Sequence, residues 1–418
     1  MTDNKHYDRT LRDMIRVLQS DYAGTALTAR PVDDQYYVQA AGQAWHDGKL
    51  DGLLFMRLTS QMTATTKDRT LRVGLNSPSY VPWHAGFDCR RYGDSLYVTA
   101  VHGDKRLTPG DEIKLLNINT PKEHMYHFQR NFLYADEAER EMWNNVLKMT
   151  AHMTVRHANG KEEDIPVMKF SSARTAVKPS VKAVKGGVIV LNAGTNPDQE
   201  EMEKMVETHR TQLDYAEHLV IDLRKACGTD IDAYIPLMPY VMKEEQSLDE
   251  AFGEQVWYTL YTDGNCSRMV SALQEYAGNP EADALISEYK ENSGTGWKEN
   301  RIRLFADLTE KIVPRGNKVT LLTDTWTENA AEIFALFAKQ QGRAKTAGRP
   351  TMGTLDFGDL VTVALTDEIT LTYPVSITAE AKEGRGYCNK GIPADLYIPF
   401  TPEECTEDLI LKAVLNQK

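Results

Sequence analysis

Cysteine is scarce in this sequence. The five present, Cys89, Cys227, Cys266, Cys388 and Cys405, include no CxxC pair and no histidine at metal-finger spacing. That excludes a disulfide framework and a zinc-ribbon fold, and it suits a reducing compartment. Long apolar runs are also missing, and none approaches the roughly 20 residues that a bilayer-spanning helix needs. The first twenty residues carry charges where a signal peptide would place an apolar stretch, so a cytoplasmic location is expected. Basic residues are the minority, 48 against 60 acidic in 418, for a net charge of −12. Such a chain lacks the clustered Lys and Arg that displace counterions from nucleic acid, which excludes that class of partner. No grouping of ligating side chains suggests a metal, and no motif suggests an organic cofactor.

What is present suffices for several cores. Hydrophobic residues make up 41% and charged residues 26%, as in ordinary soluble globular proteins, and the length predicts two or three domains. Leu11, Met14, Ile15 and Leu18 recur at helical spacing, as do Leu50, Leu53, Leu54 and Leu58, predicting a helical N-terminal segment over 1–72. The turn-rich stretch NSPSYVP at 76–82 marks a boundary. Strands are predicted over 95–101, 112–116, 153–156 and 165–170, with helices over 121–133 and 135–148. Together they form an α+β unit spanning 73–177. Beyond residue 185 the pattern alternates. Runs at 187–192, 218–223 and 318–323 read as buried strands; 198–213, a segment from 230, and 330–341 read as helices. Parallel βαβ units follow from that alternation, in a core over 178–418. Residues from about 242 to 314 break the alternation and read as an insertion or lid.

Four segments of the core carry a resemblance: LVIDLRKACG at 219–228, DTWTENAAEIFALFAKQ at 324–340, GRPTMGTLD at 348–356 and GIPADLYIP at 391–399. Their order and spacing resemble the C-terminal-processing (tail-specific) family of serine peptidases. Upstream, FDCRRYGDSLYV at 87–98 and RLTPGDEI at 106–113 resemble a PDZ domain, a module that captures peptide C-termini as an added strand. The resemblance implies a multidomain fold of mixed α/β and α+β class. Its parts would be the helical N-terminal segment, a PDZ-like domain, and a ClpP/crotonase-like α/β peptidase core carrying the lid insertion. It implies peptides or protein C-termini as partners and no cofactor.

A serine peptidase needs a nucleophile, a base, and N–H donors for the oxyanion. In the family the nucleophilic Ser stands three residues before a Glu that opens a helix. Glu332 holds that Glu position here, which puts Asn329 at the nucleophile position. An amide nitrogen, its lone pair delocalised into the carbonyl, cannot form an acyl-enzyme. One branch of the family has a Lys twenty-five residues after the Ser, and Thr354 stands there instead. The other branch, which TLD at 354–356 resembles more, takes its base from a D-x-H segment upstream of the PDZ-like unit. The nearest match, Asp68-Arg69-Thr70, puts Thr70 at the His position and leaves His46 and His84 as other candidate bases. Gly228 and the N–H of Ala330 would supply the oxyanion hole, at a helix N-terminus that favours negative charge. Thr354 and Asp356 fall at substrate-binding positions.

Plain structural readings stand beside these. Asn329-Ala-Ala-Glu332 fits a capping box, in which Asn replaces Ser at little cost in stability. Cys227 reads as a buried structural thiol before it reads as a replacement nucleophile, and Ser293 in NSGTG as part of a turn. Two functions follow. One is a catalytically silent family member that binds peptides; the other is an active serine endopeptidase in which Asn329 is an introduced or compensated replacement of Ser. Simultaneous departure at Asn329 and Thr70 favours the first.

Overall fold

A computed structural model describes residues 6–26, 35–76, 81–128, 137–171, 176–184 and 186–417. Its centre is a six-stranded sheet. The runs VIVLN at Val188–Asn192, HLVID at His218–Asp222 and KVTLLT at Lys318–Thr323 are almost wholly buried, as strands covered on both faces must be. Strand order is Leu396–Tyr397, Ala344–Gly348, Lys318–Thr323, His218–Asp222, Val188–Asn192, Ser180–Ala183. All neighbours run parallel except the last pair. The helices Gln199–Asp214 and Ala330–Gln341 contribute Met202, Val206, Leu213, Phe334 and Phe337 to a core shared with Leu219, Leu321 and Tyr234. Register aligns Asn192 with Asp222 and Asp222 with Leu322. The loops after those three strands therefore gather at one edge, the carboxyl end where open α/β sheets build their sites.

A second sheet departs from the sequence reading. Its order is Arg72–Leu75, Ile369–Thr378, Gln255–Tyr261, Gly296–Ile302, with Phe357–Ala364 also paired to Ile369–Thr378. The stretch read as a lid thus supplies two of its strands. Residues Trp257 to Thr259 pair with Ser376 to Thr378, and the helices Asp263–Leu273 and Pro280–Asn292 fill the connection. The N-terminal helices His6–Ser20, Gln35–His46 and Gly52–Ala64 lie on this sheet. Leu11, Met14, Leu18, Phe55 and Met62 share one core with Val361, Leu371 and Tyr373. The segment 1–72 is therefore not a layer of its own, because its apolar stripe is completed by strands about three hundred residues away.

Between these parts sits a five-stranded antiparallel sheet, Phe87–Tyr92, Ser95–Val101, Glu112–Leu116, His152–Arg156 and Glu162–Pro166 in order. Its core is Phe87, Leu96, Val98, Ile113, Trp143 and Met153. The last strand starts earlier than its apolar run suggests, since the hairpin pairs Arg156 with Glu162. The described helices here are Pro121–Phe128 and Trp143–Leu147, the latter starting later than predicted. Residues 129–133 and 135–136 of those predicted helices lie outside the described residues.

Candidate active site

The strand Lys318–Thr323 ends at the carboxyl edge, and six residues separate it from the helix Ala330–Gln341. Asn329 makes the turn between them at φ 53° and ψ −121°. Positive φ is uncommon for any residue with a Cβ and costs on the order of 1–3 kcal/mol. Such a strained strand-to-helix turn is how hydrolases present a nucleophile above a sheet. The expected capping role is overturned: the Asn329 side chain makes no cap bond. Capping needs extended backbone at the N-cap, and the positive φ turns this side chain away from the helix. Its amide instead donates to the Cys227 carbonyl at 3.3 Å.

Two backbone bonds tie the elbow to the turn at 226–228. Glu328 N–H donates to the Ala226 carbonyl at 3.0 Å, and Ala330 N–H to the Gly228 carbonyl at 3.1 Å. The structure thus brings Gly228 and Ala330 together, but it uses the Ala330 donor internally, while Gly228 N–H meets no acceptor among the described residues. A Cβ on residue 228 would lie 2.4 Å from Asn196 Oδ1, which explains glycine there.

Glu332 points inward, away from the capping box drawn from sequence. Its fully buried carboxylate accepts from Thr351 Oγ1 at 2.5 Å, Gly353 N–H at 2.6 Å, Thr354 N–H at 2.8 Å and Thr354 Oγ1 at 2.5 Å. Burial raises this carboxyl above its ordinary range, and the four donors only partly offset that. Thr354 Oγ1 also accepts from Asn329 N–H at 3.0 Å and lies 3.3 Å from Asn329 Oδ1. Its single proton goes to the nearer Glu332. Asp356 accepts from the N–H groups of Tyr387 and Cys388 at 2.8 and 2.7 Å. Both positions expected to touch substrate are thus committed to internal bonds. The closing segment locks onto this loop, and a Cβ on Gly391 would stand 2.0 Å from the Thr351 carbonyl.

Thr70 is buried, and its hydroxyl and N–H both donate to Asp68 Oδ1, at 2.6 and 2.8 Å. Tyr22 occupies the other Asp68 oxygen at 2.9 Å. Among the described residues no imidazole hydrogen-bonds Asn329. His46 is exposed at the end of the helix Gln35–His46, and His84 accepts from Gly86 N–H at 3.0 Å and stacks on Phe170. Burial, with Glu328 second, raises the Cys227 thiol, so it is a poor nucleophile. Ser293 donates to Asp263 at 2.7 Å. No group of three or more His, Cys, Asp or Glu among the described residues could hold a metal ion.

Several residues around the elbow had escaped the sequence reading. Arg140 donates to the carbonyls of Thr351 and Met352 at 2.6 and 2.5 Å, bracing the loop that holds Glu332. Arg69 donates to the Arg140 carbonyl at 2.9 Å and contacts Met352 Sδ. Asp324 takes both carboxylate oxygens to Arg90 at 2.7 Å and to Arg349 at 3.0 and 3.1 Å. Burial alone would raise that carboxyl, but the two guanidinium groups reverse it and hold it well below the usual range. Glu328 is half-buried beside Asn329. No motif names these residues; only the packing of distant segments assembles them.

A mixed α/β fold with a strained elbow at the carboxyl edge of a parallel sheet defines a serine-peptidase type of architecture. The chain belongs to peptidase family S41, whose profile matches residues 185–398. No curated protein matches it in sequence. Among solved structures it is similar to mature CPAF complexed with lactacystin, at 14% identity and TM-score 0.64, covering 96% of this chain and 95% of that one. A CPAF mutant matches at 14% identity and TM-score 0.64, covering 99% and 98%. Likeness at that identity establishes the shared fold. Among the described residues, no helix is long and apolar enough to cross a membrane.

Proposed function

We propose that the protein is a catalytically silent S41 member, a pseudoprotease, that binds peptides or protein C-termini. One observation carries this reading: the elbow position is filled by Asn329, whose amide cannot form an acyl-enzyme. Two features support it. Thr70, at the position expected for a base, offers a neutral hydroxyl already bonded to Asp68, and Ala330 N–H is bonded to Gly228. Peptide capture would use the antiparallel sheet as a PDZ-like unit. Its outer strands Phe87–Tyr92 and Glu162–Pro166 pair on one side only among the described residues, which suits strand addition. A cytoplasmic protein of this kind would escort or withhold a peptide without cutting it.

The retained strain at residue 329 favours a second reading, an active serine endopeptidase in which Asn329 replaces the native Ser. Asn329→Ser separates the two. The silent reading expects the variant, like the parent, to resist a fluorophosphonate probe and leave free-C-terminus peptides intact. Stoichiometric labelling of the parent would sink it. Labelling and cleavage by the variant alone would carry the second reading.

A further inference from the structure

Three titratable side chains form a row across one end of the antiparallel sheet. Asp111 precedes the strand Glu112–Leu116, His157 follows His152–Arg156, and Glu163 lies in the outer strand Glu162–Pro166. Register pairs Glu112 with Arg156 and Arg156 with Glu162, which brings the three segments side by side. His157 Nδ1 lies 3.0 Å from Asp111 Oδ2, and its Nε2 lies 3.0 Å from Glu163 Oε1. The hairpin turn fixes the residue there: His157 N–H donates to the Lys161 carbonyl at 2.9 Å, and Gly160 N–H donates to the His157 carbonyl at 2.8 Å.

Both ring nitrogens face a carboxylate oxygen, so both must donate. A neutral imidazole has one N–H and one lone pair, whereas imidazolium has two N–H groups. Only the charged ring satisfies both contacts. When a single proton is left, Asp111 has the stronger claim to it. Its side chain is 1% exposed, its one other donor is Thr108 N–H at 2.8 Å, and its Oδ1 is buried with no partner among the described residues. Glu163 is 31% exposed and keeps Lys161 at 2.6 Å. The neutral ring therefore turns its lone pair toward Glu163, and an attraction becomes a repulsion. The neighbouring cations, Lys161 and Arg106, act on Glu163, and Arg106 is itself held by Asp104 at 2.6 Å.

We infer that His157 is a pH-sensitive latch: protonated, it fastens the outer strand Glu162–Pro166 to the turn at 108–111, and deprotonated, it releases that strand. Histidine is the side chain whose charge changes in the physiological range. Glu163 first, and Asp111 with it, raise this imidazole above its ordinary value of about 6.5, against the opposing effect of burial. A raised folded value makes the latch complete below about pH 6.5 and loses it as pH rises through the raised value. The outer strand is also an edge offered for strand addition, so peptide capture should weaken over the same interval. That consequence alone rests on the peptide-binding reading.

The test follows the full chain between about pH 5 and 8.5, across the histidine range. Nuclear magnetic resonance of ring-labelled histidine gives the His157 pKa, with His157→Gln assigning the signal. Hydrogen exchange read by mass spectrometry, corrected for the intrinsic rate at each pH, gives the protection of the hairpin 152–166. That protection is expected to fall about threefold as His157 deprotonates, the scale of a partly exposed ion pair. His157→Gln should show the lower protection at every pH, and His157→Arg, with its permanent charge, the higher one. A His157 pKa at or below about 6.5 would overturn the latch. So would protection that ignores pH in the parent, or that changes equally in His157→Gln. Calorimetry with a free-C-terminus peptide is a separate arm. Binding that weakens as the latch opens supports the consequence for capture, and binding that ignores pH overturns it. If no peptide binds at any pH, the peptide-binding reading fails while exchange and titration still decide the latch.

Discussion

Asn329 holds a backbone conformation that a side chain resists, and nothing in the helix it precedes requires that. Capping rules weigh residue type alone. The residue's identity was therefore legible in the sequence, while its φ of 53° was not, being imposed by the ladder to Ala226 and Gly228. Replacement by glycine removes the Cβ that makes positive φ costly. Asn329→Gly should raise the urea unfolding free energy by about 1 kcal/mol, or change it little where glycine's chain entropy cancels the relief. A loss above about 2 kcal/mol would show that the amide bond to Cys227 matters more than the strain. Glu332 stands in an all-donor shell, so Glu332→Gln would turn an amide N–H₂ toward the N–H groups of Gly353 or Thr354. A loss of about 2–4 kcal/mol in urea unfolding is expected. Because this carboxyl is raised in the folded protein, its contribution is complete below the ordinary carboxylate range. It declines as pH rises through the raised value.

At the scale of elements, the antiparallel sheet is fastened to the core by charge. Arg90 comes from its first strand, Asp324 follows the strand Lys318–Thr323, and Arg349 passes the link on to Glu404. Removing the central carboxylate leaves the buried Arg90 guanidinium without an acidic partner and Arg349 with Glu404 alone, and breaking such a buried pair costs about 3–5 kcal/mol. Asp324→Asn should lose that much in denaturant unfolding and separate the unfolding of sheet and core. Asp324 titrates in the opposite sense to Glu332. Its folded value is depressed, so its contribution is present above the ordinary carboxylate range and is lost as pH falls. Below about pH 4 the parent should destabilise more steeply than Asp324→Asn in parallel melts. Parallel strands such as 188–192, 218–222 and 318–323 were legible as continuous apolar runs. The second sheet was not: Gln255–Tyr261 is mostly half-buried and Gly296–Ile302 mostly exposed, and the partner of Gln255–Tyr261, Ile369–Thr378, lies far along the chain.

Taken as a whole, the molecule closes on itself, with its first helices completing a core that its late strands begin. Removing residues 1–64 would expose the surface that Leu11, Met14, Leu18, Phe55 and Met62 cover. At about 1.5–3 kcal/mol for each fully buried side chain, those five alone match a total stability of roughly 5–15 kcal/mol. The truncated chain should be insoluble, or unfolded by circular dichroism; a soluble, cooperatively melting truncation would show that the helices are dispensable. Helical spacing made these helices visible in the sequence but could not tell which distant surface they cover. That arrangement also sets a clock on biosynthesis. A ribosome adding roughly 5–20 residues per second releases the helix His6–Ser20 about 15–70 s before the strand Ile369–Thr378 exists. For that interval the apolar stripe of the first helices has no native partner, and something other than the finished fold must keep it from finding a foreign one.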